Sequence, residues 1–172
     1  MRLFTFFFRS TLVLSALFLT GEAVVCNQVY AVESGGKATV IKIIDGDTIL
    51  VMYQTKSIKV RLWGIDTPEY RQPFSKKASM FTRKMVSGKS VLLDEKDRDD
   101  YGRMVAIVKM GSGESLNEEL IKAGFAWVHI YYCKEAICSS WYGYEKEARL
   151  KKKGLWSERD PVPPWVWKRR KR

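Results

Sequence analysis

The chain has 172 residues, 30 lysines and arginines against 19 aspartates and glutamates, and 46% hydrophobic residues. That is about one domain's length with apolar material for one core, which argues against wholesale disorder and against a multi-domain assembly. The formal net charge of +11 favours a polyanionic partner, whether nucleic acid, anionic membrane or cell-wall polymer, without choosing among them.

Residues 1–31 read as a cleaved export signal. Arg2 and Arg9 flank a Phe-rich start, Thr11 to Leu19 form a short apolar stretch, Gly21 breaks it, and Val29-Tyr30-Ala31 resembles a small-residue cleavage site. A cut after Ala23 and an uncleaved anchor are the alternatives, but the stretch is short and interrupted for a membrane span. Cleavage after Ala31 removes two arginines and one glutamate, so the excess positive charge belongs to the mature protein. The expected product is secreted or periplasmic, monomeric and without a stable membrane span. Cys26 would leave with the signal. Cys133 and Cys138 would remain, and in an oxidising compartment a short-loop disulfide between them is expected. A metal site with His129 and a pair of free thiols are the competing readings.

Residues 32–37 contain Gly35-Gly36 and read as a linker, with the folded domain expected over 38–157 and a Pro/Trp/basic tail over 158–172. TVIKII (39–44) and TILVMY (48–53) have strand composition and flank the turn signal Asp45-Gly46-Asp47, which predicts a hairpin. IKVRLW (58–63) alternates: Ile58, Val60 and Leu62 share one face, and Lys59, Arg61 and Trp63 share the other. Ala78, Phe81, Thr82, Met85 and Val86 fall on one helical face that Ser87-Gly88 closes. Val91 to Leu93 predicts a short strand, DEKDRDD (94–100) a charged loop, Tyr101-Gly102 a turn, and 103–110 another strand. Ser115 and Glu118 form a capping-box pattern before a helix that Gly124 ends. FAWVHIYY (125–132) reads as extended. A last helix is predicted over 140–153, with Glu145/Arg149 and Glu147/Lys151 spaced as ion pairs. The sum is an α+β protein: a five-stranded antiparallel OB-type barrel with about three packed helices.

Three stretches carry chemistry. IDGDT (44–48) can ligate a hard cation through oxygen, although turns favour Asp and Gly anyway. It is not an EF-hand loop, because Ile49 and Leu50 stand where that loop needs a ligand and a glycine. IDTPE (65–69) can be a helix start in which Asp66 and Glu69 form a capping box. YGR (101–103) can be a tight turn with a surface arginine. Taken together they form a kit for phosphodiester hydrolysis. A single histidine disfavours His-based acid–base chemistry, so the base would be a carboxylate and the electrophile an oxygen-bound cation. Asp47, Asp66, Glu69, Arg61 and Arg103 supply those parts, since guanidinium forks match phosphate oxygens.

IDGDT, RLWGIDTPE, YGR and KKKGLW (151–156), in that order, resemble the staphylococcal nuclease (thermonuclease) family over about Ala38 to Ser157. The resemblance implies an OB barrel and calcium-dependent hydrolysis of DNA and RNA that leaves 3′-phosphate ends. It implies that Asp47, Asp66 and the Thr67 carbonyl ligate Ca2+, with Asp45 close behind. Glu69 would be the general base, Arg61 and Arg103 would hold the scissile phosphate, and Tyr101 and Tyr132 would touch the nucleotide. Two departures bear on substrate affinity: Asp100 replaces a lysine before Tyr-Gly-Arg, and Ile130 replaces a nucleotide-contacting tyrosine. The tail PVPPWVWKRRKR (161–172) either stacks on bases and grips phosphates or packs its tryptophans on the barrel. The expected function is therefore an exported calcium-dependent nuclease that prefers single strands. A non-catalytic nucleic-acid-binding module of the same fold and a cationic surface-binding protein are the alternatives.

Overall fold

The computed structural model describes residues 35–170. The export signal, Cys26 and the cleavage site lie outside the described residues. Strands β1 (Gly35–Ile43), β2 (Thr48–Tyr53), β3 (Lys56–Leu62), β5 (Ser90–Arg98) and β6 (Met104–Met110) close into a barrel in the order β1-β2-β3-β6-β5. A two-stranded sheet joins β4 (Ile65–Asp66) to β7 (Trp127–Val128). Helices α1 (Ser75–Val86), α2 (Leu116–Lys122), α3 (Ile137–Leu150) and α4 (Pro164–Arg170) complete the fold, with a short 3-10 turn at Gly154–Ser157.

The OB-type barrel is present, but it is not wholly antiparallel. β3 and β6 run parallel, Arg61 lying opposite Val105, because closing five strands this way brings two distant ones side by side in the same sense. Alternation places Val40, Ile49, Val51, Val60, Leu62, Leu93, Met104, Ala106 and Val108 inside, all essentially fully buried. Burying each larger aliphatic side chain contributes about 1.5–3 kcal/mol before entropy is charged against it.

Three boundaries differ from the sequence expectation. Gly35 to Lys37, expected as linker, pair with Leu92 to Asp94 of β5 and begin the barrel. The charged stretch expected as a loop is instead strand to Arg98, paired across to Met104; a strand with one face in solvent accepts charges there. FAWVHIYY is extended only at Trp127–Val128, after which Tyr132 and Cys133 N–H groups both donate to the His129 carbonyl and turn the chain. Of the two readings of the tail, the packed one describes α4: Pro164 is buried, and Trp165 packs against the cluster of Trp127, Ala148, Leu155 and Trp156.

Other expectations hold. Ser115 Oγ accepts from the Glu118 N–H and caps α2. Glu145 pairs with Arg149, and Glu147 with Lys151 at 2.5 Å. Cys133 and Cys138 are joined as a disulfide, so neither the His129 metal site nor the free thiols describe them. Among the described residues, no helix is long and apolar enough to cross a membrane.

Candidate active site

Two glycines bring the acidic segments together. In the β1–β2 turn, a Cβ on Gly46 would lie 2.6 Å from Thr67 Oγ1 and 2.9 Å from the Ala78 Cβ, so only glycine lets the turn seat against β4 and α1. Thr82 of α1 then donates its hydroxyl to the Gly46 carbonyl at 2.6 Å. Gly64 has φ +71° and lies where a side chain would meet Trp141 at 2.9 Å. It reverses the chain after β3, so that Asp66 returns toward Arg61 on the strand before it. The register does the rest: Arg61 pairs with Thr48, next to Asp47.

The result is one cluster. Arg61 Nη1 lies 2.6 Å from Asp47 Oδ1, and Nη2 lies 2.6 Å from Asp66 Oδ1 while also donating to the Ile65 carbonyl at 3.0 Å. The other Asp47 oxygen accepts from the Thr67 N–H at 2.6 Å and its hydroxyl at 2.7 Å. The Asp47 N–H donates to Asp45 Oδ1 at 3.0 Å. Asp47, Asp66 and Thr67 are buried.

The cluster holds more negative charge than Arg61 neutralises. Burial pushes the Asp66 carboxyl up to about 7; the Arg61 guanidinium pulls the other way and Asp47 adds to the rise. Asp45 has an exposed rim, yet the protein packed around it, and then the Asp47 charge, raise its carboxyl to about 6. Arg61 titrates above its ordinary value: burial works against its charge, and Asp47 and Asp66 outweigh it. Among the described residues no group of three or more His, Cys, Asp or Glu side chains is closed around a metal position. The donor chemistry nonetheless fits a hard divalent cation: carboxylate oxygens in surplus and no thiolate or imidazole in the Asp45, Asp47 and Asp66 cluster.

Glu69 stands at the edge of this cluster, and its N–H donates to Gln72 Oε1 at 2.9 Å. The capping role open to it in sequence is absent, because α1 starts only at Ser75, after Phe74 in the left-handed region at φ 67°. A cleft of about 550 Å³ is lined by Asp45, Asp47, Thr67 and Glu69 together with Lys76 and Arg83 of α1, Tyr70 and Met80. A cleft lined by both carboxylates and basic side chains suits an anion that binds through a cation and through direct ion pairs.

Arg103 is placed differently. Its Nε donates to Asp99 Oδ2 at 2.6 Å, and its guanidinium lies 5.6 Å from the Tyr101 ring. No hydrogen bond or ion pair joins it to Asp45, Asp47, Asp66 or Glu69 in the described structure. It immediately precedes β6, the strand parallel to the one carrying Arg61, so it stands at the entry to the neighbouring strand rather than in the cluster. Tyr101 is 86% exposed and Tyr132 69% exposed. The Tyr132 ring packs 4.5 Å from His129, whose imidazole burial first, and Arg61 second, push toward the neutral form.

Sequence reasoning missed the residues that brace this arrangement. Gln72 is buried and reaches the Val162 carbonyl at 2.6 Å. Asn117 is buried between β6 and the Trp63 carbonyl, accepting from the Val108 N–H and donating at 2.9 Å. Lys168 places its ammonium 2.7 Å from Glu69 Oε1. An asparagine on an apolar helix face was the one available signal for Asn117; the Gln72 contact to Val162 and the Lys168 contact to Glu69 carried none, because those partners are remote in sequence.

With the geometry set out, comparison with known proteins points one way. The model of the family described as staphylococcal nuclease homologue matches residues 59–158, more than half of the chain. The chain is 36% identical over 155 residues to a protein named uncharacterized endonuclease in Escherichia coli O157:H7, a match covering 90% of this chain and 95% of that protein. It is 36% identical over 141 residues to the micrococcal nuclease of Shigella flexneri, covering 77% of this chain and 80% of that one. It is 38% identical over 117 residues to the staphylococcal-like nuclease CAN1 of Arabidopsis thaliana, covering 68% of this chain and 35% of the plant protein.

Proposed function

The chain belongs to the staphylococcal nuclease family, and from that premise we propose that it is an exported, calcium-dependent nuclease hydrolysing the phosphodiester bonds of DNA and RNA. The observation that carries this reading is the buried pair Asp47 and Asp66 held on one guanidinium beside an open cleft with Glu69 on its wall. Asp47, Asp66 and the Thr67 carbonyl would hold the cation, with Asp45 behind them. When bound, a divalent ion supplies charge to neutralise the phosphate oxygens as the diester is displaced in line.

The chain's own residues do the remaining work. Glu69 takes a proton from the attacking water. Arg61 is fixed before substrate arrives, so its charge stabilises the developing oxyanion without reorganisation. Arg103, held on its Nε edge by Asp99, offers the rest of its fork to a phosphate oxygen. Tyr101 and Tyr132 present exposed rings to the nucleotide. The 5′ oxygen leaves, giving a 3′-phosphate end. An unpaired strand bends into the cleft more readily than a duplex, which supports a single-strand preference. The disulfide and the residue 1–31 pattern support export.

Glu69→Gln tests the assignment. Turnover of single-stranded DNA should fall by about 10²–10⁴-fold while binding in a gel-shift assay persists. A variant that cleaves at the parent rate removes Glu69 from the mechanism. A parent protein that shifts DNA in calcium and never cuts it makes the chain a binding module instead.

A further inference from the structure

The cluster around the cation site does not use the C-terminal segment, yet that segment reaches it at two points. Gln72 forms the first link: it accepts from the Glu69 N–H through Oε1 and donates through Nε2 to the Val162 carbonyl at 2.6 Å. The Glu69 N–H also belongs to a turn closed from the other side, the Gln72 N–H donating to the Glu69 carbonyl at 2.8 Å. Lys168 forms the second link, its Nζ lying 2.7 Å from Glu69 Oε1. One contact fixes the backbone of Glu69 and the other its carboxylate; residues 162–168 supply the second directly and brace the first through Gln72.

The segment is anchored well enough to serve this purpose. Pro164 is buried, Trp165 packs on the cluster of Trp127 and Trp156, and its ring lies 5.2 Å from His129. The Val166 and Trp167 N–H groups both donate to the Pro163 carbonyl at 3.0 Å, starting the helical turn that carries Lys168. A lysine on a loose basic tail samples many positions. This one is delivered by a helix whose tryptophan is docked.

We propose that Lys168 is a positioning residue of the hydrolytic site, and that α4 belongs to the catalytic wall rather than to a phosphate-gripping tail. The proposal rests on the reading of Glu69 as the base. Among the described residues Lys168 is the ion-pair partner of the partly exposed Glu69 side chain, and without it the carboxylate can leave the orientation that faces water. Misplacing a reacting group by about 1 Å can cost about 10²-fold in rate. The ammonium acts on the rate-determining geometry, not on the affinity of the substrate.

The experiment is a steady-state comparison of full-length protein carrying Lys168→Ala, Lys168→Met and Lys168→Arg, alone and combined with Glu69→Gln, on single-stranded DNA in saturating calcium. Ala and Met should each lower kcat by about 10- to 100-fold with KM changed by less than about twofold, and Arg should recover most of the rate. Met keeps the apolar stem, so loss in both variants is not a packing effect. In the Glu69→Gln background, removing Lys168 should cost nothing further, because residues acting as one unit are not additive. An unchanged or raised kcat in Ala and Met, with Glu69→Gln inactive, overturns the inference and leaves the nuclease reading intact; a raised kcat identifies α4 as an inhibitory strap. A rise in KM at constant kcat also overturns it, by making Lys168 a phosphate contact. A fully active Glu69→Gln overturns both readings together.

Discussion

Arg61 lies near the end of β3 and Arg103 just before the start of β6, the adjacent parallel strand, and the resemblance gives both the same task, yet their surroundings are opposite. Arg61 is 16% exposed, bonded to two buried carboxylates and a carbonyl, and its charge helps hold the fold's own acidic cluster together. Arg103 is tied at one edge to Asp99 in a turn beside an exposed tyrosine. One arginine is part of the structure before substrate arrives, and the other is held ready at the rim. Function and stability are therefore coupled at Arg61 and separable at Arg103.

That contrast can be broken most sharply by removing each arginine. Arg61→Ala and Arg103→Ala should both reduce kcat by about 10³-fold or more, since each withdraws charge from the phosphate. Their urea melts should diverge. Arg61→Ala leaves Asp47 and Asp66 buried without a counter-charge and should cost about 3–5 kcal/mol. Arg103→Ala breaks a partly exposed pair and should cost less than about 1 kcal/mol. Equal stability losses would erase the distinction.

A smaller effect concerns the cation. Calcium should raise the melting temperature of the parent protein and of Arg103→Ala, since a ligand that binds only the folded state stabilises it. Asp66→Asn and Asp47→Asn should lose that rise. A calcium shift that survives both substitutions would place the ion elsewhere.

The pH dependence sharpens the same point. The Asp66 carboxyl titrates at about 7 and Asp45 at about 6 in the folded protein, both above the ordinary value. Where a folded carboxyl keeps its proton after the unfolded chain has released it, stability falls as pH rises. In chelator the protein should thus lose stability between about pH 4 and pH 7, and Asp66→Asn should flatten most of that slope. Calcium should restore stability above pH 7. Denaturant midpoints across the range, with and without calcium, measure this. The smallest effect is expected at the disulfide. The Cys133–Cys138 bridge closes a loop of sequence separation 5, so Cys133→Ser with Cys138→Ser should cost no more than about 2 kcal/mol and leave kcat unchanged.

Local chemistry was legible in the sequence. The hairpin around Gly46, the alternation of β3 and the apolar face of α1 each follow from short-range periodicity, and the structure has all three. The charged end of β5 was not, because its charges point to solvent and only its pairing with β6 makes it strand. The parallel pairing of β3 with β6 depends on which distant strands meet, a choice no local pattern records. The candidate site divides the same way. Asp47, Asp66, Thr67, Arg61 and Glu69 lie in two short motifs, and the structure gathers them at one place. The Gln72 link to Val162 and the Lys168 link to Glu69 join residues far apart along the chain, so they appear once the tail is seen to dock.

Calcium-titrated digestion of single-stranded DNA by the mature protein tests the central claim most directly. Cleavage should be absent in chelator, rise to saturation with added calcium in the parent, and stay near background at every calcium concentration in Asp66→Asn. Digestion at full rate in chelator, or the same calcium curve in Asp66→Asn as in the parent, would contradict the account.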